Sequence, residues 1–201
     1  MIRLLLAEDQ AMVREALAAL LGLEPGIEVV AQVGRGDEVV EAVRAHAPDV
    51  ALLDIEMPGA SGLDAAAELR TKYPELKLVM LTTFGRPGYL RRAMESGADG
   101  FLVKDAPAAR LADAVRRVLR GEHVIDPALA ASALAVGASP LTDRERAVLN
   151  AAADGSANAA IAEAMHLSHG TVRNYLSTAI QKTGARNRAE AVRLARDKGW
   201  L

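Results

Sequence analysis

The chain has 201 residues, 51% hydrophobic, 25% charged and 3% aromatic, the balance of a globular protein rather than of a disordered or fibrous one. It contains no cysteine, which excludes a disulfide framework, a thiolate nucleophile, a cysteine-ligated zinc site and an iron–sulfur cluster. The net charge of −2 hides an asymmetry: residues 1–139 carry 15 basic and 20 acidic side chains, residues 140–201 carry 9 and 6, and within those the stretch 168–201 carries 7 and 2, as when an acidic module is joined to one that binds a polyanion.

Five apolar runs of strand length recur in the first 105 residues: Ile2–Ala7, Ile27–Val33, Val50–Leu53, Leu78–Leu81 and Phe101–Val103. Segments of helical period separate them, such as Val13, Ala16, Leu17, Leu20 and Leu21, or Leu111, Val115 and Val118. Apolar runs without alternation fit strands covered on both faces, so the expected architecture is a parallel five-stranded sheet with helices on each side and right-handed crossovers. The fifth helix is expected from about Pro107 to Arg120, and 121–139, rich in Ala, Gly, Ser and Pro, reads as a linker, partly helical through Pro127–Leu134. The longest apolar stretch, Ala128–Ala138, is too short to span a bilayer, which takes about 20 apolar residues. The start, MIRLLLAEDQ, meets two acids before a signal-peptide core forms, so no membrane association and a cytoplasmic location are expected.

From Leu141 the pattern is wholly helical: Thr142–Ala153, Asn158–Met165, Ser168–Thr183 and Asn187–Lys198. Thr142-Asp-Arg-Glu145 has the form of a capping box, with Gly155 as the stop. The expected division is 1–120, a linker 121–139, and a small four-helix domain 140–201.

In a doubly wound sheet the functional crevice lies beyond the carboxyl ends of the strands. With strand order 2-1-3-4-5, Glu8-Asp9, Asp54, Thr82-Thr83 and Lys104 converge on one rim. Three carboxylates in one pocket repel unless a cation sits among them. An all-oxygen set of Glu8, Asp9, Asp54 and the Glu56 backbone carbonyl suits Mg²⁺. Carboxylates also serve as nucleophiles that form aspartyl phosphates, with Lys104 and Thr82 holding phosphoryl oxygens by charge and by hydroxyl. Asp9 as a cap of the first helix is the plain alternative for that residue, and core packing is the plain alternative for Phe101.

AED at 7–9, LLDIEMPGASGLD at 52–64, MLTT at 80–83 and GADGFLVKD at 97–105 resemble the receiver domain of two-component response regulators, over nearly all of the first 120 residues. The resemblance implies a flavodoxin-like receiver in which Asp54 is the phosphoacceptor and Asp9 with Glu8 and the Glu56 carbonyl binds Mg²⁺. It also implies that Thr82 is the switch hydroxyl, Lys104 the paired lysine and Phe101 the rotating aromatic. The choice of Thr82 over Thr83 rests on its 22-residue spacing to Lys104. The phosphoryl donor it implies is a sensor histidine kinase.

In the third tail helix, Val172, Tyr175, Leu176, Ala179 and Ile180 make one apolar face, while Arg173, Asn174, Ser177, Thr178 and Gln181 suit base edges and phosphates. Lys182, Arg186, Arg188 and Arg193 add attraction to phosphates that is independent of sequence. LTDRERAVL, ANAAIAEAM, LSHGTVRNYLS and ARNRAEAV resemble the LuxR-type helix-turn-helix of NarL/FixJ-class response regulators. This implies Arg173, Asn174 and Ser177 toward bases, Thr171 and Lys182 toward the DNA backbone, promoter DNA as partner and a homodimer on phosphorylation. Ala157-Asn158-Ala159-Ala160 departs from the family's frequent Ser-Asn-Lys-Glu. The combined expectation is a phosphorylation-switched transcription regulator rather than an enzyme. The alternatives are a Mg²⁺-dependent phosphohydrolase or phosphotransferase, a DNA-binding protein that is never phosphorylated, and a helical docking domain in the tail.

Overall fold

The computed structural model describes residues 1–83, 87–136 and 139–201, and for 87 and 132–136 the backbone only. It divides into two compact units, built mainly on 1–131 and on 132–201.

The first unit alternates strand and helix: β1 (Ile2–Ala7), α1 (Ala11–Gly22), β2 (Ile27–Val33), α2 (Val39–His46), β3 (Val50–Asp54), α3 (Gly62–Lys72), β4 (Lys77–Thr82), α4 (Pro87–Glu95), β5 (Gly100–Val103), α5 (Ala108–Leu119) and β6 (Val124–Ile125). All pairings are parallel and the order is β2-β1-β3-β4-β5-β6. The fold class and the order of the first five strands are as expected, but the sheet has six strands, not five. Val124 and Ile125 pair with Gly100 and Phe101, inside the stretch read as linker. Two β-branched residues between His123 and Asp126 are too short a run to register as a strand. The same stretch holds a helix, α6 (Pro127–Val136), and its residues 137 and 138 lie outside the described ones.

Every residue of β3 is buried, as expected of a central parallel strand covered on both faces. Leu4, Leu6, Leu52, Val79, Leu81 and Leu102 pack with Leu17 and Leu21 of α1 and Leu111, Val115 and Val118 of α5. By the alternation of strand side chains, Leu5, Leu53, Met80 and Phe101, also fully buried, face the other way. The register sets Ala7 beside Leu53, Asp54 beside Leu81 and Thr82 beside Val103, so the residues that end β1, β3, β4 and β5 arrive at one rim.

The second unit is helical: α7 (Asp143–Ala151), α8 (Asn158–Ala164), α9 (His169–Thr183) and α10 (Arg188–Asp197). The capping box forms. Thr142 accepts from the Glu145 N–H at 3.3 Å, and Glu145 accepts from the Thr142 N–H at 2.7 Å. Ser168 and Asn187 cap α9 and α10 through the N–H groups of Thr171 and Glu190, and α9 stops at Gly184, whose φ of 69° suits glycine. Val148, Leu149, Ile161, Val172, Leu176, Ala179, Val192 and Trp200 form its core. Among the described residues no helix is long and apolar enough to cross a membrane.

Gly62 opens α3 against the end of β3, where a Cβ would overlap the Asp54 carbonyl. Gly62→Ala is expected to lower stability by about 1–3 kcal/mol in urea unfolding. An unchanged midpoint would mean that the loop gives way at no cost.

Candidate functional site: an acidic rim and an exposed helix

Glu8 follows β1, Asp54 ends β3, Thr82 ends β4 and Lys104 follows β5, and the structure brings all four together. Glu8 is fully buried, Asp54 and Thr82 are buried, and Asp9 and Thr83 are exposed. The Lys104 ammonium lies 2.6 Å from Glu8 Oε2 and 2.9 Å from Asp54 Oδ2, and its backbone N–H donates to the Thr82 carbonyl at 2.8 Å. Carboxylate oxygens of Glu8, Asp9 and Asp54 lie within 4.8 Å of one another. Asp9 does not cap α1: the N-cap is Gln10, without a side-chain cap, and the Gln10 N–H donates to Glu8 Oε1 at 3.2 Å.

Burial pushes the Asp54 carboxyl above its ordinary value, against the lowering effects of Lys104 and the Glu56 backbone N–H, and the charge of Glu8 adds to the rise. Burial pulls the Lys104 ammonium down, but the hydrogen bonds of Glu8 and Asp54 outweigh it and carry the group upward. The pocket therefore has two buried carboxylates and a third exposed one against a single ammonium. Glu8 Oε2 accepts no other hydrogen bond among the described residues. A hard divalent cation fits this donor set, and one carboxylate oxygen each from Glu8, Asp9 and Asp54 lies close enough to share it. Glu56, whose carbonyl was the fourth expected ligand, sits on the exposed turn after β3.

Phe101 is fully buried. Sequence reasoning missed two features beside the rim. Arg14 donates to the Glu8 backbone carbonyl at 2.5 Å, one helical turn beyond Gln10. The loop after β2 meets the loop after β3: the Gly36 N–H donates to the Pro58 carbonyl at 3.0 Å, and a Cβ on Gly59 would overlap the Asp37 carboxylate. The glycines were the available signal, since Gly36 and Gly59 each sit where another backbone or side chain approaches closely.

In the second unit, α9 exposes Arg173, Asn174, Ser177 and Gln181. Among the described residues Arg173 has no ion pair or hydrogen bond. Thr171 is half-buried and its hydroxyl is 2.8 Å from that of Ser168, within the helix cap. Lys182 Nζ is 2.9 and 2.8 Å from the two oxygens of Glu145. Arg186 pairs with Glu190, Arg193 with Asp197, and Arg188 donates to the Ser156 and Gly155 carbonyls.

A parallel doubly wound sheet with acids and one lysine at its carboxyl rim, followed by a four-helix unit with an exposed polar helix, defines a receiver coupled to a helix-turn-helix. Residues 4–116 match the model of the response regulator receiver domain, and residues 139–195 that of the bacterial regulatory proteins of the luxR family. The chain belongs to the response regulators that carry a LuxR-type DNA-binding domain. It is 45% identical over 201 residues, the full length of both chains, to the transcriptional regulatory protein DesR of Bacillus subtilis. It is 41% identical to the response regulator RamR of Streptomyces coelicolor, covering 100% of this chain and 98% of that one. Among solved structures, the response regulator ChrA of a heme-sensing two-component system is similar at a TM-score of 0.60 and 30% identity, over 100% of this chain and 98% of that one.

Because its carboxyl is raised on folding, the cost of the Asp54 charge is absent below the ordinary aspartate value and accrues as pH rises from there through the raised value. Asp54→Asn is expected to melt higher than the wild type at pH 7, with the gap closing as pH falls to about 4, the ordinary aspartate range. A lower melting temperature at pH 7 would show that the Lys104 pairing outweighs burial.

Proposed function

We propose that this chain is a transcription regulator switched by phosphorylation at Asp54, with the first unit, its sixth strand included, as the receiver and 140–201 as the DNA-binding domain. The observation that carries it is the convergence of Glu8, Asp9, Asp54, Thr82 and Lys104 on one rim. Asp54 Oδ attacks the phosphorus of a phosphohistidine on a sensor histidine kinase. The O–P bond forms as the P–N bond breaks, and the imidazole leaves with a proton. Glu8, Asp9, Asp54 and the Glu56 backbone carbonyl hold Mg²⁺, which supplies charge neutralisation to the incoming phosphoryl group. Lys104 turns from its two carboxylates to a phosphoryl oxygen, Thr82 donates its hydroxyl to another, and Phe101 repacks with Thr82.

The modified chain forms a homodimer whose α9 helices read paired half-sites of promoter DNA. Arg173, Asn174 and Ser177 reach base edges, and Thr171 lies toward the DNA backbone. The exposure of Arg173, without a side-chain partner among the described residues, supports this. The chain passes its phosphoryl signal to DNA and turns over no separate substrate, and the cytoplasm, where kinase and promoter are both in reach, is its compartment.

Intact-protein mass after incubation with a small phosphodonor is expected to show one phosphoryl adduct that requires Mg²⁺ and is missing in Asp54→Asn. An adduct that survives in the variant would move the acceptor elsewhere. Arg173→Ala is expected to relax base preference at one position, costing about 1–3 kcal/mol there. Equal loss on every duplex would contradict base readout.

A further inference from the structure

The basic side chains of the second unit differ in how firmly they are committed to the protein. Arg186 is 86% exposed and Arg193 62% exposed in their pairs with Glu190 and Asp197. Glu190 and Asp197 are 19% and 34% exposed, and cations that stand this far in solvent re-form readily with another anion. Lys182 is different. Its partner Glu145 is 7% exposed, and Lys182 itself is 34% exposed. Glu145 already spends Oε2 on the Thr142 N–H that starts α7, and both of its oxygens receive the Lys182 ammonium. Withdrawing that ammonium toward a phosphate would leave a buried carboxylate without its counter-charge, which is the costly way to break such a pair. The pair joins the first turn of α7 to the last turn of α9, two helices otherwise held together by apolar contacts such as those of Val148, Val172 and Leu176.

We infer that Lys182 is a positioning residue, which fixes the carboxyl end of the recognition helix α9 on α7 through Glu145 and contacts no phosphate. The assignment rests on α9 being the DNA-reading helix, as proposed above. It separates the side chain left free to meet DNA, Arg173, from the one that sets the angle at which it is presented.

The test uses the full chain, a duplex selected by the wild type from a random pool, and a scrambled duplex, titrated across salt concentrations. Each phosphate neutralised contributes about 0.9 to the slope of log affinity against log salt. Lys182→Met is expected to leave that slope unchanged, to lower affinity for the selected duplex and to spare the scrambled one. Lys182→Arg, which can still reach Glu145, is expected to restore the preference. In thermal unfolding without DNA, the shifts of Glu145→Gln and Lys182→Met are expected to be strongly non-additive in the double variant. A slope that falls by about one, with equal loss on both duplexes, or additive thermal shifts, would overturn the assignment. A wild type with no preference between the duplexes would defeat the DNA-reading role of α9 and this assignment with it, an outcome visible before any variant is made.

Discussion

Glu8 and Asp54 are carboxylates that a protein interior does not tolerate side by side, and the ammonium of Lys104 is what lets them share a dry rim. Removing the Lys104 ammonium is the costly change, about 3–5 kcal/mol, because it leaves two buried carboxylates uncompensated. The three residues come from the ends of β1, β3 and β5, so the triad exists only if the parallel register is correct across four adjacent strands. A slip of one residue would turn each of these side chains to the other face. The same arrangement leaves one positive charge facing up to three negative ones, a deficit that a divalent cation removes and that a phosphoryl group would then redistribute.

Much of this rim was legible in the sequence because parallel strands carry continuous apolar runs, and each run here ends abruptly in a polar residue. The position just after the run is therefore marked twice, by hydropathy and by topology. What the sequence did not disclose depends on close approach rather than on pattern. The contact of Gly36 with the loop after β3, the Arg14 hydrogen bond to the Glu8 carbonyl and the space that Gly62 leaves for the Asp54 carbonyl each involve a single residue with no periodic neighbour. Asp9 shows the converse: its type and position suit an N-cap, yet α1 begins one residue later and leaves it exposed beside the two buried acids.

Charge counting along the tail was informative about the class of ligand and uninformative about which side chains meet it. Seven basic residues over 168–201 give a strong excess, but Lys182, Arg186, Arg188 and Arg193, all expected to attract phosphate, each have an internal partner. Lys182 is held by the most buried of the carboxylates among these partners, a property absent from a one-dimensional count. The capping box is one place where a local motif and a tertiary contact coincide, since Glu145 closes its own helix and also receives a cation 37 residues away.

The sixth strand changes where the first unit ends. The Val124 N–H donates to the Asp99 carbonyl and the Asp126 N–H to that of Phe101, so a few residues past α5 cover the outer edge of β5. A receiver cut at residue 120 would present β5 as an open edge, with backbone groups ready to pair with another chain. For any exchange of output domains among proteins built this way, whether by recombination or in the laboratory, the joint has to fall beyond Asp126. An exchange made earlier carries away a piece of the donor's sheet.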